Sequence, residues 1–226
     1  MNKKKYKFFE SLLYSNYKRE LYYLCHQIDI KASTLFSVYD NLNTEHGFIT
    51  DINCLDQISS ILSYAARVQE LTIYTNKNKI HAERAFLIRS MFDFLNINEI
   101  FNKKVRNTIE HFAQYLDNTN KKHTLYNTKK RYLVAFNMVI SKWEKLIESD
   151  LPFTLYSISA MPDTPLYPIR IYVSGERKFY NMDWSIDLNA LYIEACLIKK
   201  FLIEKGFLEE ETPEKWLSGF IVCAPE

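Results

Sequence analysis

Apolar residues recur at three- and four-residue steps through the first half of the chain. Phe8, Leu12, Leu13, Tyr17, Leu21, Leu24 and Ile28 form one such stripe, the mark of a helix with one buried face. A second helix is predicted over residues 52–75, with Leu55, Ile58, Leu62, Ala65, Val68 and Leu71 on its buried side. Residues 76–78 read as a turn and residues 81–95 as a third helix. Asn96 or Asn98 can cap the start of a fourth, since a short polar side chain accepts from the free amides of a first turn. Phe101, Val105, Ile109, Phe112 and Leu116 give that helix its apolar stripe. Long helices joined by short polar turns predict an antiparallel bundle.

The second half changes character. Residues 118–127 are polar and loop-like, and 131–147 read as another helix with Leu133, Phe136, Val139, Ile140, Trp143 and Leu146 apolar. Pro152, Pro162, Pro165 and Pro168 then exclude a helix. Residues 169–173 alternate as a strand, Ser174-Gly175-Glu176 forms a hairpin turn, and 178–184 form the return strand. Asp187 caps a final helix over 188–205 that Gly206 ends. The predicted fold class is mainly α: an antiparallel helical bundle with a small C-terminal β-hairpin and a final helix. Residues 1–150 form the bundle, and 151–226 add the hairpin and last helix on the same core.

Composition sharpens this picture. Hydrophobic residues make up 47% of the chain and aromatics 15%, enough for a well-packed core. Only 4 glycines are present, which disfavours sheet-rich folds and glycine-dependent phosphate loops. Cys25, Cys54, Cys196 and Cys223 are too scattered for a zinc knuckle or a redox pair, so they read as reduced, buried thiols of a cytoplasmic protein. No signal peptide and no membrane span are expected, and neither a metal nor a cofactor is implied.

The chemistry concentrates in Arg106-Asn107-Thr108-Ile109-Glu110-His111. Arginine holds a phosphate through a planar fork of donors, and histidine exchanges a proton near neutral pH. Together they suffice to cleave RNA without a metal. The plainer reading pairs Arg106 with Glu110 on the surface and leaves His111 as a helix-face histidine. Lys103, Lys104, Arg106, Lys121, Lys122, Lys129, Lys130 and Arg131 surround the motif, against only Glu110 and Asp117, in a chain whose net charge is +2. A local positive field of this kind attracts a phosphodiester polymer, with Lys103, Lys104, Lys129, Lys130 and Arg131 as candidate RNA contacts. Arg84 and Arg89 lie on the preceding helix and either join the same cleft or pair with Glu83, Asp93 or water. His26, His46 and His81 show no partner in sequence and are assigned no chemistry, nor is His123 in its loop.

Five steps of about 100° put Arg106 about 140° around the helix from His111. One helix therefore does not aim both side chains at one phosphate, whereas two copies meeting on a two-fold axis can, which predicts a homodimer with a shared site.

Arg106, Asn107 and His111 resemble the mark of the HEPN superfamily, an arginine followed by a polar residue and then by a histidine after four to six others. The wider run through Phe112, Leu116 and Asp117 is similar to HEPN-like bacterial proteins. The resemblance implies an all-helical domain and a metal-independent endoribonuclease of toxin or phage-defence type. It also implies an antitoxin or other regulatory protein as partner. Arg106 and His111 would then be catalytic, with Asn107 orienting the phosphate or the histidine. In the branch paired with nucleotidyltransferase antitoxins a tyrosine stands two residues after the histidine; here that residue is Ala113. The alternative reading is a non-catalytic helical module that binds RNA or a protein.

Overall fold

The computed structural model describes residues 14–42, 48–72, 79–102, 104, 107, 111–114, 116–118, 121, 133–143 and 166–205. Helix α1, Tyr14–Tyr39, extends the predicted stripe through Ala32, Leu35, Phe36 and Tyr39, all buried. Helix α2, Ile52–Thr72, begins at Asp51, whose Oδ1 accepts from the Asn53 amide at 2.8 Å. The Tyr39 hydroxyl donates to the other oxygen of Asp51, so the end of α1 and the start of α2 share one carboxylate. That hydrogen bond holds the Asp51 carboxyl below its ordinary range. Helix α3 spans Lys79–Ser90. Helix α4, Leu188–Glu204, starts as predicted: the Asp187 side chain accepts from the Ala190 amide at 2.8 Å.

The remaining elements overturn the predicted fold class. Strands β1 (Phe48–Ile49), β2 (Leu133–Ile140), β3 (Leu166–Val173), β4 (Lys178–Asn181) and β5 (Trp184–Asp187) form one five-stranded mixed sheet in the order β1-β2-β3-β4-β5. The chain is therefore not an antiparallel helical bundle carrying only a small hairpin. The predicted helix over 131–147 is corrected to β2. Its apolar positions do fall at three- and four-residue steps, but 133–140 is also an almost unbroken apolar run. Such a run suits a strand buried on both faces as well as a helix, and periodicity alone does not separate them. Pairing decides: β2 lies antiparallel to β1 and parallel to β3, from Leu133↔Leu166 to Ile140↔Val173. These strands come from either side of residue 150, so both predicted segments share one sheet.

The predicted hairpin is present but more elaborate. A short 3-10 turn, Ser174–Glu176, links β3 to β4. A Cβ on Gly175 would lie 2.7 Å from the Ser141 carbonyl oxygen, to which the Gly175 amide donates, so only glycine fits there. The predicted return strand breaks at Met182, φ 57°, and becomes β4 and β5.

Val139, Tyr172, Phe179 and Ile186 face the helices and join the core formed by Leu24, Ile28, Ile58, Ile61, Leu191 and Ile198. Ala135, Ile140, Ile171 and Val173 face the other way, against Phe48, Met138, Trp143 and Tyr180. Ala135 and Met138 thus share a face although three positions apart, so the two-residue alternation of β2 slips by one. The slip falls at Asn137, φ 55°. No helix among the described residues is long and apolar enough to cross a membrane.

A candidate site beside His111

Glu194 of α4 fixes the approach to the motif. Buried, it accepts from the amides of Asn98, Glu99 and Ile100 at 2.7–2.9 Å. Gln69 of α2 donates to the Ile100 carbonyl at 2.7 Å and also to that of Asn102. The predicted caps Asn96 and Asn98 bond each other instead, and Asn102 accepts from the Lys104 amide at 3.1 Å. Residues 104 and 107 are helical, His111 sits in a turn with its amide donating to the Asn107 carbonyl at 3.1 Å, and 112–114 are helical again.

Of the predicted site residues, Asn107 is half-buried, while Lys104 and His111 are exposed. Arg106, Lys103, Lys129, Lys130 and Arg131 lie outside the described residues. Phe112, expected on the apolar stripe of the motif helix, also meets a cation. The guanidinium of Arg170, in β3, lies 4.0 Å from the centre of its ring. Among the described residues Arg170 makes no ion pair with a carboxylate.

Phe112 and Arg170 line a cavity of about 280 Å³ together with Leu55, Ser59, Leu62 and Ser63 of α2 and Phe179 and Asn181 of β4. The α2 residues fall at one-turn spacing and so share one helix face. The pairing Ile171↔Tyr180 places Asn181 level with Arg170, and the pairs that flank Asn137 in β2 place it level with Arg170 too. Both asparagines have a buried side-chain oxygen with no hydrogen-bond partner. Arg170 itself has φ 57°, so two neighbouring strands carry left-handed non-glycine residues at one level. Such a conformation costs about 1 kcal/mol or more per residue and concentrates where function demands it.

Other polar clusters are consumed by the fold. Arg177, also left-handed at φ 50°, donates to both oxygens of Asp40 at 2.6 and 3.1 Å and to Asn189 at 2.8 Å, and covers the Phe36 ring. Lys199 of α4 bonds Asp29 and His26 of α1, and burial, reinforced by the Lys199 charge, depresses the proton affinity of His26. Arg84 donates to the Glu70 carbonyl at 3.0 Å and lies over Tyr17, and Arg89 lies over Phe101. Cys25 and Cys54 are buried free thiols, and burial pushes Cys54 up to about 12. Among the described residues no cluster of three His, Cys, Asp or Glu side chains is placed to hold a metal ion.

Arg170, Asn137 and Asn181 escape sequence reasoning because only strand register brings them level. Their types carry no spacing signal, and nothing in the chain marks which strands pair. No protein-family model matches the chain, and no curated protein and no solved structure matches it either.

Proposed function

We propose that this protein is a metal-independent endoribonuclease acting in the cytoplasm, with His111 exchanging the proton and Arg106, Asn107 and Arg170 handling the phosphate. One observation supports the reading: the Arg170 guanidinium lies 4.0 Å from the ring centre of Phe112, the residue that follows the exposed His111 in sequence. A cation is thus held against the residue that follows the histidine in sequence. The resemblance to HEPN proteins now rests on the motif alone, since the mixed sheet is not that bundle; site chemistry recurs on unrelated folds.

His111 takes the proton of a ribose 2′-hydroxyl, and that oxygen attacks the adjacent phosphorus. The bond to the 5′-oxygen breaks, and the leaving oxygen takes up a proton. The products are a 2′,3′-cyclic phosphate and a 5′-hydroxyl. The guanidinium groups stabilise the charge that builds on the phosphate oxygens. DNA, lacking the 2′-hydroxyl, is not cleaved. The lysines Lys103, Lys104, Lys129 and Lys130, with Arg131, extend the positive field along the strand. A homodimer sharing Arg106 across a two-fold axis remains part of the reading, as does a regulatory protein that restrains the enzyme. The test is cleavage of a mixed-sequence RNA by wild type and by His111→Ala at equal folded concentration.

A second reading, binding without cleavage, draws on exposed apolar side chains. Phe86 and Phe94 are 72% and 67% exposed and offer surface to a partner chain. It predicts that His111→Ala changes nothing.

A further inference from the structure

We infer that the cavity walled by Phe112, Arg170 and Asn181 is a subsite for a single nucleotide of the substrate, with the phosphate on Arg170 and the base inside. The inference rests on the ribonuclease reading for its biological meaning, but not for its test. Three features carry it. The first is size: about 280 Å³ lies just below the roughly 300 Å³ at which small-molecule sites begin, which suits one nucleobase rather than a dinucleotide.

The second is the lining. Phe112, Phe179, Leu55 and Leu62 give apolar walls for a flat ring, while Ser59, Ser63 and Asn181 add hydroxyl and amide groups able to meet the polar edge of a base. Asn181 is only 6% exposed and, among the described residues, its side-chain oxygen has no partner, so that hydrogen-bonding capacity is left unused there. The third is charge. Arg170 forms no ion pair among the described residues, and its guanidinium lies over the Phe112 ring, a contact that engages the face of the cation rather than its N–H donors. The left-handed backbone at Arg170 and at Asn137 beside it is a local cost, with both residues level with Asn181 across three strands.

The experiment is titration of the full chain with each of the four nucleoside 5′-monophosphates, with the matching nucleosides and with inorganic phosphate, followed by calorimetry. Monophosphates are expected to bind more tightly than either the nucleoside or phosphate alone. Arg170→Ala is expected to weaken the monophosphates about tenfold and to leave nucleosides unchanged. Ser59→Trp, at an exposed helix position where folding tolerates a large side chain, is expected to abolish binding by filling the cavity. Binding of monophosphates unaltered by Ser59→Trp places them elsewhere and overturns the inference, as does an absence of monophosphate binding to folded wild type. Binding without RNA cleavage overturns the catalytic reading alone, and cleavage without binding overturns the subsite alone.

Discussion

Arg170 holds its guanidinium 4.0 Å from the ring centre of Phe112, and it does so from a left-handed backbone at φ 57°. Glycine adopts that conformation freely, whereas arginine does not. Arg170→Gly removes a strain of about 1 kcal/mol and a cation–ring contact of about 0.5–1 kcal/mol, while adding backbone entropy to the unfolded chain. These nearly cancel. The variant is expected to melt close to wild type in a calorimetric scan, while RNA affinity measured by filter binding falls at least about tenfold. An unfolded glycine variant would instead make Arg170 a residue of the fold.

Glu194 presents the opposite case, a charge spent wholly on structure. Its carboxylate serves three backbone amides of residues 98–100 from a buried position. Glu194→Ala strands those donors and is expected to lose about 3 kcal/mol or more in urea unfolding. Glu194→Gln keeps one acceptor oxygen and should fall between. Equal midpoints for the alanine variant and wild type would show that water replaces the carboxylate without loss.

The pH dependence follows from His26. Burial depresses its proton affinity, the Lys199 charge adds to that, and Asp29 opposes it. The folded value lies below the unfolded one of about 6.5, so the unfolded chain binds more protons between the two. Stability is therefore complete above about pH 6.5 and is lost as pH falls through the folded value. His26→Gln should flatten the melting temperature against pH over roughly pH 7 to 5. An unchanged slope would assign the loss to other groups.

The helices were legible because each buries one stripe: Leu21, Leu24 and Ile28 of α1 and Ile58, Leu62, Ala65 and Val68 of α2 are buried as predicted, Phe8, Leu12 and Leu13 lie outside the described residues, and α4 starts where Asp187 was expected to cap it. β3 was readable from its alternation, despite Pro168 at a paired position. β2 was not, since apolar residues occupy both its faces, Val134 and Phe136 exposed while Ala135, Val139 and Ile140 are buried, and Asn137 slips the two-residue rhythm. β1, two residues long, carries no periodic signal at all. His111 was a candidate from residue type and spacing alone. Arg170 and Asn181 were not, because their alignment depends on a register set by tertiary contacts.

One comparison decides whether His111 cleaves RNA. Wild type and His111→Ala, at matched folded concentration and without divalent metal, are incubated with a labelled RNA and the new ends are analysed. His111 is exposed, so its loss is expected to leave the protein folded, which a melting scan of the variant checks. Wild type is expected to give fragments with 2′,3′-cyclic phosphate and 5′-hydroxyl ends, and the variant at least about a hundredfold less cleavage. Equal cleavage by the two proteins, or none by a wild type that binds RNA, would contradict a catalytic His111.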